Sequence, residues 1–448
     1  MSDRRVPARE AIALLTDDFT ELPTPEGDHA PDGPLAWQGY DASRARAAER
    51  TGEEESVVWG RAVIGGTAAV VISFEFGFLG GSLGERTGDR LVAAHAYARG
   101  RRLPVVSLVA TGGSRMQEGM RALAQLQRVA RESALASAAG LPRIAVLRDP
   151  TTGGGWATLG AGADIVLALP GAQVGFAGSR VRPPDADPAA YTAEAQLAAG
   201  SIDAVVPPTA LRRTLSLYLT LLTAPSTAPA PPPHALPPPR KAPLPTTGWE
   251  AVRRARSPRR PRAGAYLDAY FTRRAPLRGD RAGGTDPGML CGFGEHEGRT
   301  IAYAAQCGTP TRPAGYRTAA RLIRLADRLG VPVLTLVDTP GAANDAEAER
   351  QGVGPAVADL FTAVATARTP VTTLLIGEGG SGGALALAAP DNTWATPDSY
   401  FSVIAPELAA AILKRPAHRA PATADELRLR PQDLVELGVV RGITDTYG

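Results

Sequence analysis

The sequence predicts an α/β protein built from two tandem parallel-sheet domains related by an internal repeat. Three observations carry this. The chain, at 448 residues, is longer than one hydrophobic core normally supports. Near-continuous apolar strands alternate with helical stretches, the pattern of a parallel sheet covered by helices. Landmarks also recur at a constant offset of 228 positions: Pro104 to Val109 matches Pro332 to Val337, Pro142 matches Pro370, and Gly155 matches Gly383.

In chain order, residues 1–54 read as an N-terminal extension with a short helix from Ala8 to Thr16. The stretch Asp18 to Leu22 is expected to pack on the main body and shows nothing catalytic. Residues 55–222 form the first domain. Val57 to Ile64 and Ala68 to Ser73 flank Gly65-Gly66, a strand–turn–strand signal. A glycine-rich stretch from Phe76 to Gly84 leads to an amphipathic helix from Gly88 to Arg99. The apolar strand Pro104 to Val109 then runs into a glycine turn at Thr111 to Gly119, followed by a long helix. Strand Arg143 to Leu147 ends in a second turn, Thr151 to Gly155.

Residues 223–245 read as a proline-rich linker, stiff and polyproline-like. A spacer between two similar halves accounts for it better than a ligand for a proline-binding domain. Residues 246–448 form the second domain, with an Arg/Pro-rich approach and an α/β body from Met289. There Val371 to Leu375 runs into the glycine-dense Ile376 to Ala384, and Ala384 to Ala388 reads as a helix.

Composition narrows the function. A net charge of +3 over this length gives no nucleic-acid signature, and no run of 18 apolar residues marks a membrane span. No signal-peptide pattern follows Met1, so the expected location is cytoplasmic. Cys291 and Cys307 lack C-x-x-C spacing and read as core thiols, so neither a metal site nor a disulfide is expected.

The glycine turns therefore have to carry the chemistry. Neither a Walker lysine pattern nor a strand-following G-x-G-x-x-G with a ribose-binding acid is present. Ser381 matches a nucleophile elbow only loosely, and it reads as a spacer. What glycines at strand ends do offer is close approach to backbone N–H groups, and the next helix's first turn adds unsatisfied donors. Paired donors of this kind stabilise a developing oxyanion. No acid–base pair is evident, which leaves the substrates to supply the proton acceptor.

These residues resemble a known family. Phe76 to Gly84, Gly112 to Gly119 and Gly175 to Val181 resemble the carboxyltransferase β subunit of bacterial acetyl-CoA carboxylase. Pro313 to Arg317, Val337 to Ala342, Gly377 to Ala384 and Tyr400 to Glu407 resemble its α subunit. The chain looks like a β–α fusion. The resemblance implies two ClpP/crotonase-like (spiral ββα) domains. It also implies carboxyl transfer from carboxybiotin, held on a separate carrier protein, to the α-carbon of acetyl-CoA or another short acyl-CoA. The product would be malonyl-CoA or its homologue, as in fatty acid biosynthesis.

By motif, Gly112 and Gly113 would form the first oxyanion hole, for the thioester enolate. Gly382, Gly383 and Ala384 would form the second, for the biotin ureido oxygen. Gly153 and Gly154, at the corresponding helix start, join the substrate-binding candidates. So do Gly80, Gly81, Gly178, Arg180, Gly341, Gly379 and Gly380. Arg115 is placed with them, its alternative role being to hold the Gly112-Gly113 turn together with Glu118. The implied partners are an acyl-CoA, a biotin carboxyl carrier protein and a biotin carboxylase. A homodimer or higher homo-oligomer is implied too, pairing the first half of one copy with the second half of another. No bound cofactor or metal is expected.

The chain departs from the family in three places: it has no four-cysteine zinc ribbon before Cys291, a shortened stretch between Gln306 and Pro313, and Ala343-Asn344-Asp345 after Gly341. Two rival readings keep the fold, a malonyl-thioester decarboxylase component and a non-catalytic CoA-ester-binding scaffold.

Overall fold

The computed structural model describes residues 5–23, 30–236 and 243–444. Residues 237–242 of the proline-rich stretch lie outside the described residues. The chain divides into two compact units, Met1–Thr223 and Ala224–Gly448.

The first unit begins with α1 (Ala8–Leu15), β1 (Asp18–Glu21) and α2 (Tyr40–Thr51), then the hairpin β2 (Val57–Ile64) and β3 (Thr67–Phe74). Next come α3 (Glu85–Arg101), β4 (Val105–Thr111), α4 (Gly119–Ala138), β5 (Arg143–Thr152) and the single turn α5 (Gly153–Gly155). It closes with β6 (Ile165–Ala168), β7 (Val174–Gly175), α6 (Ala193–Ala198), β8 (Ala204–Val205) and α7 (Pro208–Leu222). The sheet order is β1-β2-β3-β4-β5-β6-β8, with β7 pairing the far end of β5. Only the two ladders at β2 are antiparallel; from β3 to β8 the pairing is parallel.

The second unit repeats this order. It opens with α8 (Gly248–Ala255), α9 (Ala263–Tyr270), β9 (Arg273–Leu277), β10 (Met289–His296) and β11 (Arg299–Gln306). There follow α10 (Pro313–Leu329), β12 (Val333–Thr339), α11 (Ala346–Arg350), α12 (Val353–Thr366), β13 (Val371–Gly380) and α13 (Ser381–Leu385). Strands β14 (Thr393–Ala395) and β15 (Tyr400–Ser402), helix α14 (Pro406–Ile412) and strand β16 (Gly442–Ile443) follow. The sheet runs β9-β10-β11-β12-β13-β14-β16, with β15 on the end of β13.

The repeat holds to the residue. Val105 pairs Arg143 in the first sheet and Val333 pairs Val371 in the second. Each ladder then slips at the same place, between Val109 and Thr111 and between Val337 and Thr339. Such a bulge bends the strand end and re-aims the chain beyond it, and the glycine turns come directly after. β4 and β12 are buried at every position, as central strands under helices on both faces must be.

Two stretches carry more structure than their pattern shows. Within the N-terminal extension, β1 joins the first sheet as its edge strand. The Arg/Pro-rich approach holds α8, α9 and β9, and β9 takes the same edge place in the second sheet. Arginines obscure that order in the sequence, because their burial depends on partners distant in the chain: Arg260 and Arg262 both bind the buried Asp338. The described part of the proline-rich stretch packs on the second unit. Ala230 and Ala235 are buried there. Thr372 Oγ1 donates to Ala230 O at 2.8 Å and Tyr270 Oη to Pro231 O at 2.8 Å. Proline has no N–H, so such a chain is bound through its carbonyls.

Candidate functional site

In the first unit, β4 runs into Gly112, which is exposed, and Gly113, at φ +111°. The Gly112 N–H donates to Gly80 O at 2.9 Å, and the Gly113 N–H to Thr111 Oγ1 at 3.0 Å. Both N–H groups of the expected oxyanion pair are thus engaged within the turn, that of Gly112 by a main-chain carbonyl and that of Gly113 by a side-chain hydroxyl. Leu83 N–H donates to Gly113 O at 2.9 Å, lacing the Gly80–Gly84 stretch to the turn. Gly81 is required for that fit: at φ +61°, any Cβ would strike the Ala110 carbonyl.

The second turn of this unit lies against the first. A Cβ on Gly153 would come within 3.1 Å of the Gly113 Cα. Gly153 N–H donates to Phe176 O at 3.0 Å. Gly154, next in the first turn of α5, offers an N–H with no acceptor inside its own helix. Gly178 lies beside Thr152 and is half-buried, and Arg180 is exposed.

Arg115 is 1 % exposed and surrounded by polar groups, so it does not reach substrate. Its guanidinium pairs with Glu55, with Nη1 at 2.9 Å from Oε2, and also binds Tyr40 Oη, Ser82 O and Ser82 Oγ. Tyr40 Oη donates to Glu118 Oε1, and Glu118 Oε2 in turn accepts the Glu85 N–H at the start of α3. Burial alone would raise the Glu55 carboxyl, but the adjoining Arg115 guanidinium holds it down at about 2. The assembly ties α2 and the Gly80–Gly84 stretch to the base of the glycine turn. Of the two roles weighed for Arg115, holding the turn is the one its contacts support.

The second unit repeats the backbone. Gly341, at φ +137°, donates its N–H to Thr339 Oγ1 at 3.1 Å, and its carbonyl accepts Thr311 N–H at 3.0 Å. Gly379 and Gly380 are packing glycines: a Cβ on the first would meet the Phe401 ring at 2.6 Å, and on the second would strike the Pro340 carbonyl. Gly383 is equally closed, facing Ala342 N. Gly382 is open, with no atom within 4 Å of where its Cβ would be.

α13 starts at Ser381, three residues earlier than the apolar pattern places a helix, and stops at Leu385. One cause of its shortness is visible. The Gly383 carbonyl leaves the helical ladder and accepts from Tyr316 Oη at 3.1 Å and Gln306 Nε2 at 3.2 Å. Across a trans peptide the next N–H points the opposite way, so this grip turns the Ala384 N–H away from Tyr316 and Gln306. Below the turn, Asp338 is fully buried between Arg260 and Arg262, and its Oδ1 accepts the Glu378 N–H at 3.1 Å. Glu378 is held by Arg256 at 3.1 Å and by Tyr400 Oη at 2.6 Å.

Both cysteines are free thiols. Burial pushes Cys291 far up and Cys307 to about 11, so neither is a thiolate at neutral pH. Among the described residues no group of three His, Cys, Asp or Glu side chains could hold a metal ion, and no helix is long and apolar enough to cross a membrane.

Comparisons with known proteins span both units. The family described as "Carboxyl transferase domain" matches residues 36–213, and the one described as "Acetyl co-enzyme A carboxylase carboxyltransferase-like" matches residues 244–446. The acetyl-coenzyme A carboxylase carboxyl transferase subunits beta/alpha of Salinispora arenicola is 38% identical over 470 residues, spanning 98% of this chain and 82% of that protein. The corresponding protein of Saccharopolyspora erythraea is 38% identical, spanning 91% and 74%. A probable biotin-dependent acyl-coenzyme A carboxylase beta3 subunit of Mycobacterium bovis is 34% identical, spanning 91% and 83%. Among solved structures, the transcarboxylase 12S hexamer core superposes with a TM-score of 0.80 at 22% identity, covering 98% of this chain and 86% of that one. A single-chain, multi-domain long-chain acyl-CoA carboxylase gives 0.77 at 21% identity, covering 98% and 46%. At these identities the structures establish the fold, two tandem crotonase-like domains.

Proposed function

The chain belongs to the carboxyltransferase family of biotin-dependent acyl-CoA carboxylases, and from that premise we propose how its two glycine turns divide the work. The family activity moves a carboxyl group from carboxybiotin to the α-carbon of an acyl-CoA. The biotin arrives on a separate carrier and supplies the base that takes the α-proton, which fits the lack of any obvious acid–base pair at the turns.

The first unit binds the acyl-CoA thioester. Gly113 and Gly154 donate to its enolate oxygen, the Gly113 N–H exchanging its Thr111 hydroxyl partner for the stronger charged acceptor. Gly80, Gly112, Gly153, Gly178 and the exposed Arg180 line the approach. The second unit takes the biotin ureido oxygen on the N–H groups of Gly382, Gly383 and Ala384, beside Gly341. Gly379, Gly380 and Gly81 shape the turns without touching ligand. The carrying observation is the matched register: two strand-end turns, each behind the same bulge, each followed by a helix start rich in glycine. One such turn is explained by packing, but two in step, with Gly382 open, are better explained by ligand approach.

The substrate is acetyl-CoA or another short acyl-CoA. The partners are a biotin carboxyl carrier protein and the biotin carboxylase that loads it, and the chain works in the cytoplasm as a homodimer or higher multiple pairing first and second halves of different copies. The test mixes the full chain with carboxylated carrier protein and acetyl- or propionyl-CoA. Malonyl- or methylmalonyl-CoA is the expected product. CoA-ester binding with no product from any acyl-CoA overturns the reading in favour of a scaffold. Decarboxylation of malonyl-CoA without transfer to biotin overturns it in favour of a decarboxylase component.

A further inference from the structure

Beside the polar brace of the first unit lies a cavity of about 190 Å³. Its walls include Tyr40 and Arg44 of α2, Glu85 and Arg86 at the start of α3, and Glu118 and Arg121. The charges around it do not balance. Glu118 is committed to Tyr40 Oη, Arg115 and the Glu85 N–H, and Glu85 pairs with Arg121 at 3.1 Å. Arg86 has no hydrogen-bond or ion-pair partner among the described residues. Arg44 has only the exposed Asp41 carboxylate, at 3.8 Å. Glu55 feels the Arg44 charge but is already paired with Arg115. The Nε–H groups of Arg44 and Arg86 are both buried, and neither has an acceptor. Burial first, and the neighbouring Arg44 next, push Arg86 below its ordinary value. Arg86 is also the second residue of α3, where a cation opposes the helix dipole. Buried donors left without acceptors, on cations the fold does not neutralise, are the mark of a site for a bound anion.

A guanidinium presents a planar fork of donors that matches the oxygens of a phosphoryl group, and two in one cavity supply both charge and hydrogen bonds. We propose that Arg44 and Arg86 form an anion site that takes a phosphoryl group. Where that group comes from rests on the reading that the first unit binds acyl-CoA. CoA carries its phosphates at the far end of the pantetheine arm from the thioester, so a thioester seated in the glycine turn leaves them to be held elsewhere. A free phosphate ion offers the site the same chemistry. Tyr40 and Glu118 line the cavity and also bind Arg115, so the site and the first turn share one brace.

The test uses the full chain with Arg44→Met and Arg86→Met, and with Arg46→Met, an exposed arginine of α2 outside the cavity, as the control for net charge. Inorganic phosphate titrated by calorimetry should give a saturable heat with wild type and Arg46→Met, and none with Arg44→Met or Arg86→Met. Acetyl-CoA is then compared with acetyl-pantetheine, which has no phosphate. If CoA supplies the phosphoryl group, phosphate competes with acetyl-CoA. Both cavity variants then bind acetyl-CoA about tenfold more weakly and acetyl-pantetheine within about twofold of wild type. If the occupant is a free anion, phosphate binds alongside acetyl-CoA, whose affinity holds in both variants; the site stands with that ion as its ligand. Since Arg86 has no internal partner, Arg86→Met should keep or raise the melting midpoint, and loss of the fold would overturn the proposal. So would an equal effect of Arg46→Met, or the absence of phosphate binding together with unchanged acetyl-CoA affinity in both cavity variants. None of these measurements needs turnover, so absence of carboxylated product bears on the carboxyltransferase reading alone.

Discussion

Aligned by register, the two units agree in backbone and differ in what braces it. Both hold a threonine at the bulge, Thr111 and Thr339, whose hydroxyl caps the next-but-one glycine at 3.0 and 3.1 Å. The braces share their chemistry, a buried carboxylate–arginine pair and a tyrosine hydroxyl, but not their positions. In the first unit a buried Glu55–Arg115–Glu118 cluster, reached by Tyr40 from α2, grips the turn from below. In the second, Asp338 between two arginines anchors the strand end, and Tyr316 and Gln306 grip the helix start. The position of Asp338 is Ala110 in the first unit, and that of Tyr316 is Gly88. Glycines recur where close approach forbids a Cβ, whereas any well-satisfied polar group can serve as a brace.

This difference can be broken one brace at a time. The largest effect is expected from Arg115→Met, which leaves Glu55 buried and unpaired. Loss of one partner of a buried ion pair costs about 3–5 kcal/mol. Denaturant unfolding with hydrogen exchange should show the loss in the first unit while the β12–β13 amides stay protected. Equal loss in both units would show that the braces are not separate. Tyr316→Phe should have a smaller effect, about 1–2 kcal/mol, from a buried carbonyl losing one of its two donors. It should lower kcat while leaving the KM for acyl-CoA in place, since only the second turn is touched; a raised KM for acyl-CoA would contradict that.

The subtlest test is pH. Glu55 is ionised down to about 2 in the fold, below its ordinary value of 4.5. The unfolded chain therefore binds the proton first as pH falls, and the contribution is intact above about 4.5 and lost on descent toward 2. Acid unfolding of the first unit should show this slope, and Glu55→Gln should flatten it.

Much of this was legible in the sequence because its signals were local. Apolar runs marked β4, β5, β12 and β13, the 228-residue offset marked the repeat, and adjacent glycines marked the turns. The motif at Pro313 to Arg317 already contained Tyr316, though not its role. The braces were not legible, since Glu55 and Arg115 are 60 positions apart and nothing in Glu53-Glu54-Glu55 singles out the member that meets Arg115. Nor could the sequence show that the Gly112 N–H is already taken, or that Ser381 is left-handed. Both depend on a register that only the folded sheet supplies.

The central claim is that each turn admits one ligand, and Gly112 and Gly382 are the turn glycines at which it can be tested with room for an added Cβ. Neither has a positive φ, and an added Cβ meets nothing closer than 3.4 Å at Gly112 and nothing within 4 Å at Gly382. Calorimetric acyl-CoA binding and carboxyl transfer should be measured together on Gly112→Val and Gly382→Val. Both should lose transfer by about 10²–10³-fold, the effect of removing access to an oxyanion donor. Gly112→Val should lose acyl-CoA binding, and Gly382→Val should bind it as wild type does. Retained transfer in both variants, or acyl-CoA binding lost in Gly382→Val and kept in Gly112→Val, would contradict the account.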